Sequence, residues 1–133
     1  VELKNKFEII TKYTSVFAIL LFLFVVIYSD FIMEFFGMTS KTASIVLVIL
    51  SLGQAINMAT GSVGNILIMT GHETCYRNII FFSTLIFLPL IVLLTLYFDV
   101  VGAAIATALF VITCNLCCYV MVRRLFIKNI SLI

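Results

Sequence analysis

Four stretches of this chain contain no Asp, Glu, Lys, Arg or His, and each is about as long as a membrane-spanning helix or longer. They cover residues 13–29, 42–70, 79–98 and 101–122. A helix needs roughly 20 apolar residues to cross the hydrocarbon core of a membrane. The 133 residues are 64% hydrophobic and 11% charged, against roughly 45–50% apolar and 25% charged residues in average soluble domains. The sequence therefore predicts an all-α membrane protein with about four transmembrane helices across 13–122.

Lys and Arg predict the orientation of these helices. Cytoplasmic loops of membrane proteins carry an excess of both residues, whereas carboxylates count for little. With four spans, seven of the eight basic residues fall on one side and Lys41 alone on the other; the seven are Lys4, Lys6, Lys12, Arg77, Arg123, Arg124 and Lys128. We therefore expect a protein of the cell (inner, cytoplasmic) membrane, with the flank 1–12 and the tail 123–133 both cytoplasmic. The formal charge of +2 does not indicate a nucleic-acid partner.

The ends and connections carry further expectations. The chain starts at Val1, and 1–12 lacks the apolar core of a signal peptide, so we expect a fragment of a longer chain. The segment FIMEFFGMT at 31–39 is typical of a short amphipathic stretch at the membrane interface, ended by Gly37. The run 42–70 would extend roughly 40 Å as one helix, so it would protrude or tilt.

Polar residues run along the second apolar segment. Gln54, Asn57, Gly61 and Asn65 are separated by three, four and four positions, which places them on one stripe of a helix, with Gly64 on its flank. An unpartnered polar group in hydrocarbon costs several kcal/mol, so the stripe should face protein or water. Two interpretations remain open. The amides could form interhelical hydrogen bonds, or they could line a cavity in which the glycines act as a hinge.

Three further residues are candidates for packing or hinge roles. Pro89, the only proline, predicts a kink near the middle of the third span. Gly102 opens the run GAAIATA, in which small residues recur four positions apart and allow close helix packing. Asn115 has two readings, an interhelical hydrogen bond or a cavity-facing polar group.

The sequence gives little evidence for a catalytic or metal-binding site. The spans contain no ionisable side chain of the kind that proton relays and membrane hydrolases use. His72 and Cys75 supply half a metal site at most, because the run HETCY lacks the second His of a zinc helix. The four cysteines (Cys75, Cys114, Cys117 and Cys118) lie in or toward the cytoplasmic half and are best explained as reduced apolar residues. We expect no enzyme, no metal and no cofactor.

The order of motifs resembles a known transporter family. A Phe-rich helix is followed by DFIMEFFG, by a long helix ending in TGHE at 70–73, by a helix that contains Pro89, and by VGAAIAT at 101–107. This order is similar to the C-terminal four helices of the polysaccharide flippases, the oligosaccharide-lipid exporters related to the multidrug and toxic compound extrusion transporters. The resemblance covers nearly the whole chain.

The resemblance implies a two-lobed bundle of twelve or more helices, with this chain as most of the second lobe. Such a transporter exports a lipid-linked oligosaccharide or polysaccharide precursor by alternating access. The expected partners are the lipid bilayer, the lipid-linked sugar and the remaining helices of the full chain. Gln54, Asn57, Asn65 and Asn115 would then line the pathway. The alternatives are a drug or cation antiporter of the same superfamily, and a non-transporting membrane scaffold.

Overall fold

The computed structural model describes residues 2–60 and 63–130, with side chains at 9–60 and 63–125. Four helices account for nearly all of these residues: α1 (Glu2–Phe35), α2 (Lys41–Ala59), α3 (Val63–Met69) and α4 (Glu73–Ile130). Three of them, α1, α2 and α4, are long and apolar enough to cross a membrane. The all-helical prediction is confirmed.

Helix α1 is longer than the apolar run inside it. It continues through Phe31 to Phe35, so the separate interfacial segment expected over 31–39 is wrong: these aromatic residues extend α1. The helix ends where Gly37 adopts a φ of 77°, which an L side chain rarely does. The Gly37 N–H donates to the Glu34 carbonyl at 2.9 Å, and the Met38 N–H donates to the Met33 carbonyl at 2.9 Å. This is a Schellman ending, as the placement of Gly37 predicted.

Helices α1 and α2 form an antiparallel pair. Ser40 caps α2, its hydroxyl accepting from the Thr42 N–H at 3.3 Å. At the far end of the pair, the Ser15 hydroxyl is shared between two carbonyls, that of Thr11 on its own helix at 2.7 Å and that of Ala59 on α2 at 3.0 Å. The side of α1 toward α2 carries small residues, since Ala18 and Ser29 are its buried positions. The pair therefore packs closely through small side chains.

Helix α4 is a hairpin, because the chain reverses at Asp99. Asp99 has φ 51° and ψ −136°, the only non-helical dihedrals within α4. Residues at nearly equal distances before and after Asp99 meet in space. Phe87 and Phe110 lie with ring centroids 5.8 Å apart, and Ser83 lies beside Cys114. We call residues 73–98 the first arm and residues 100–130 the second arm.

The second arm packs against α2 through its run of small residues. Ala104, Ala106 and Ala108 are buried. A Cβ placed on Gly53 of α2 would lie only 3.1 Å from the Ala108 Cα. Such spacing is typical of membrane helices, which associate through small residues rather than through an apolar core.

The helices form an open layer. Helix α1 packs on α2, α2 on α4, and α3 on α4; within the described residues α1 contacts neither α3 nor α4. The largest buried side chains, Val63 and Leu67 of α3, lie against Cys118 and Val122 of the second arm. Elsewhere the helices expose most of their apolar surface, and a surface of this size requires lipid or further helices to cover it.

Candidate functional site

The polar stripe does not lie on one continuous helix. The single helix expected over 42–70 is wrong: α2 ends at Ala59, and α3 starts at Val63. Gly61, the proposed hinge at the centre of the stripe, lies outside the described residues, as does Ser62. Sequence periodicity could not locate this end, because apolar residues continue on both sides of it.

Hydroxyl groups donate hydrogen bonds to three carbonyls at the end of α2, of which the Ile56 carbonyl also accepts from the Thr60 N–H at 3.0 Å. The Thr60 hydroxyl donates to the Ile56 carbonyl at 3.1 Å and to the Asn57 carbonyl at 2.9 Å. The Ala59 carbonyl accepts from Ser15 of α1. A helix end inside or near hydrocarbon needs such partners, since a lost hydrogen bond cannot be replaced by water there. The interruption is thus stabilised by specific side chains.

Gln54 and Asn57 form an amide pair one turn before this end. The Asn57 Nδ2 donates to the Gln54 Oε1 at 3.1 Å, and this contact is exposed. Gln54 itself is exposed and Asn57 half-buried. The bond joins two residues of the same helix, so in the described residues it does not tie α2 to a neighbour. Each amide retains hydrogen-bonding capacity for an outside partner.

The other half of the stripe lies on α3. Asn65 is exposed. Gly64 lies against the ring of Tyr76 on the first arm, where a Cβ would approach Tyr76 Cε2 to 2.7 Å. Helix α3 ends in a second Schellman motif, with Gly71 at φ 77° and the His72 N–H donating to the Leu67 carbonyl at 2.8 Å. The Gly64 contact holds α3 against α4, which is a packing role.

The remaining candidate residues lie on α4, away from the polar stripe. The Asn115 Nδ2 donates to the Val111 carbonyl of its own helix at 2.8 Å, and Asn115 is half-buried on the second arm. Pro89 is exposed and keeps helical dihedrals. The break in α4 at Asp99 falls between residues 98 and 101, where the sequence placed the boundary between the third and fourth apolar stretches. Gly102 sits beside the turn, where a Cβ would overlap the Leu94 carbonyl oxygen. Gly102 is therefore required by the close approach of the two arms.

The helix interruption lies at one end of the layer rather than at its middle. Ser15, which contacts Ala59, comes three residues after Lys12. Tyr76 and Val122, which pack on α3, are adjacent in sequence to Arg77 and Arg123. The end of α2 and the whole of α3 therefore lie toward the basic end of the layer. Gln54 lies about one and a half turns further in, and Asn57 about half a turn.

The polar stripe and its surroundings offer amides and hydroxyls. The described residues contain no group of three His, Cys, Asp or Glu side chains that could hold a metal ion. Side chains of this kind bind water, sugar hydroxyls or other neutral polar groups by hydrogen bonds. Sequence reasoning missed Ser15 and Thr60. A pattern in the sequence could have identified Ser15. Thr11, Ser15 and Ala18 are small or hydroxyl residues separated by four and three positions within a Phe-rich run, which indicates one helix face in close contact with a neighbour.

Comparison with known proteins adds no relative. No protein-family model, no curated protein and no solved structure matches the chain.

Proposed function

We propose that this chain is part of an integral membrane transporter that exports a lipid-linked oligosaccharide by alternating access. In this proposal it contributes four spans, α1, α2 and the two arms of α4, to a larger two-lobed bundle. Its basic end faces the cytoplasm, so both ends of the chain lie on that side.

The exposed Gln54–Asn57 pair is the observation that carries the proposal. Neither α1 nor α4 covers Gln54, and the pair's one hydrogen bond leaves further donors and acceptors free. Such a surface is unfavourable against lipid tails. A water-filled cavity lined by further helices would satisfy it, and sugar hydroxyls would bind there through many weak hydrogen bonds.

The interruption after Ala59 supports a moving element at the same place. Interrupted helices in transporters mark binding or hinge regions. Here the capped end of α2 and the short α3 lie between the amide pair and the basic end. In the proposed cycle, α3 stays packed on α4 while α2 tilts. The order of sequence motifs, which resembles the polysaccharide flippases, supports the substrate class.

Cysteine accessibility tests the proposal. Single cysteines at 54, 57 and 65 in a cysteine-free background are probed in membranes with an impermeant thiol reagent. Position 41, at the exposed start of α2, is the loop control, and exposed Leu93 on the first arm is the lipid-facing control. We expect labelling at 54 and 57 but not at 93. We also expect lipid-linked sugar to slow the labelling at positions 54 and 57.

Other results would assign a different function. Labelling that a cationic drug slows, while the lipid-linked sugar does not, would favour the antiporter. Absence of labelling at 54 and 57, with position 41 labelled normally, would mean that other helices bury the amides. The chain would then be a scaffold, and the transport proposal would fail.

A further inference from the structure

A groove runs between the two arms of α4 at their basic end. Its cavity volume is about 520 Å³, within the roughly 300–1,000 Å³ of small-molecule sites. Ile79 on the first arm and Leu116, Val120 and Met121 on the second form its apolar walls. Helix α3 packs on an adjoining face that includes Cys118 and Val122, and Ile79 and Met121 border both that contact and the groove.

The charged residue of the groove lies at its basic end. Arg124 lines that end from the second arm, and Cys75 and Asn78 line it from the first arm. Cys117 lies seven positions before Arg124, beside Leu116. Among the described residues, no Asp or Glu lines the groove. The second arm carries no acidic residue after Asp99. Arg124 is exposed, and its guanidinium can donate two parallel hydrogen bonds to a phosphate. An Arg and an amide at the mouth of an apolar groove match a ligand with an anionic head and an apolar tail.

We propose that this groove binds one anionic phospholipid of the cytoplasmic leaflet. Arg124 and Asn78 contact the phosphate, and one acyl chain lies along Leu116 and Val120 toward the membrane interior. The basic end of the layer is the end that the positive-inside rule places at the cytoplasmic surface, where anionic lipids attract Lys and Arg. The site is separate from the Gln54–Asn57 pair and does not depend on transport.

Native mass spectrometry of the detergent-purified protein tests this site. The protein is titrated with phosphatidylglycerol, with phosphatidylcholine of the same chains, and with inorganic phosphate. The chain supplies matched controls. Arg123→Gln removes the same charge one residue away and outside the groove lining, as the comparison for Arg124→Gln. Val92→Trp enlarges an exposed valine of the first arm, as the comparison for Val120→Trp, which fills the groove.

We expect one phosphatidylglycerol to bind in preference to phosphatidylcholine. Arg124→Gln should weaken it about fivefold to tenfold, Val120→Trp should weaken it similarly, and both controls should leave it unchanged. Arg124→Lys, which keeps the charge and the helix, should fall between wild type and Arg124→Gln. Thermal unfolding of each variant shows that it is folded.

Three results would overturn the site. If Arg123→Gln and Arg124→Gln weakened phosphatidylglycerol binding equally, the lipid would be attracted to the basic end in general and not bound in the groove. Unchanged binding in Val120→Trp would place the lipid elsewhere, for example because a further helix covers the groove. If millimolar inorganic phosphate alone displaced the phosphatidylglycerol, the site would bind an anion without a contribution from the acyl chain.

Discussion

The contact between Gly53 and Ala108 predicts how far α2 can tolerate a larger side chain. A Cβ on Gly53 would lie 3.1 Å from the Ala108 Cα and 3.2 Å from its Cβ. Because the nearer atom is backbone, no side-chain rotation can relieve the contact, and the helices must separate by a few tenths of an ångström. Overpacking of this kind costs about 1–3 kcal/mol. Gly to Ala in a helix gains about 1 kcal/mol in return.

The overpacking cost and the gain in helix propensity together predict a graded series of stabilities at position 53. Gly53→Ala should change the free energy of unfolding by between zero and about 2 kcal/mol, always destabilising. Gly53→Leu should cost more than Gly53→Ala, since it adds three carbons to the same contact. The assay is unfolding in mixed micelles, followed by circular dichroism. Leu50→Phe, at a partly exposed position of α2, is the control for side-chain size and should have little effect.

A double-mutant cycle isolates the contact. Ala108→Gly removes the atom at 3.2 Å, so it should recover part of the loss in Gly53→Ala, with a coupling energy of at least about 0.5 kcal/mol. Helix propensity cancels within the cycle. A Gly53→Ala protein more stable than wild type would refute the close approach of α2 and the second arm. A destabilised Gly53→Ala protein with zero coupling would assign the whole contact to the Ala108 backbone.

Two further substitutions test the ends of the helices by the same unfolding assay. Gly102→Ala should destabilise the protein by about 1–3 kcal/mol, because its Cβ overlaps the Leu94 carbonyl; a gain of about 1 kcal/mol, as in an open helix, would contradict the hairpin turn. The Ser15 hydroxyl is shared between the Ala59 carbonyl of α2 and the Thr11 carbonyl of its own helix. Ser15→Ala should therefore cost up to roughly 0.6 kcal/mol, the average for interhelical hydrogen bonds in membranes, and more than Thr95→Ala, which loses only a bond to the Ile91 carbonyl within its own helix. Equal losses would mean that Ser15 does not tie α1 to α2.

Local chemistry made several features predictable. Gly37 ends α1 because positive φ favours glycine whatever surrounds it. The small residues from Gly102 onward pack closely, as their four-residue spacing predicted. The stripe was only partly predictable. Gln54 and Asn57 share a face as expected, yet Asn65 lies on a different helix. Its placement depends on where the helix ends, and that end depends on Thr60 and on Ser15, which lies 44 positions away from Ala59.

The sequence by itself determined that this chain is helical and that its helices are long and apolar enough to cross a membrane, since helix length and apolar content alone decide both. The tertiary structure decided which surfaces remain open. Among the described residues it left the Gln54–Asn57 pair without a hydrogen-bond partner on another helix, and it left the groove at Arg124 between the arms of α4. The physical reason is that apolar periodicity fixes the faces of one helix, whereas neighbouring helices are selected by contacts between residues far apart in the chain. In lipid, small side chains and hydroxyl groups make those contacts, and their partners cannot be identified from spacing along the chain.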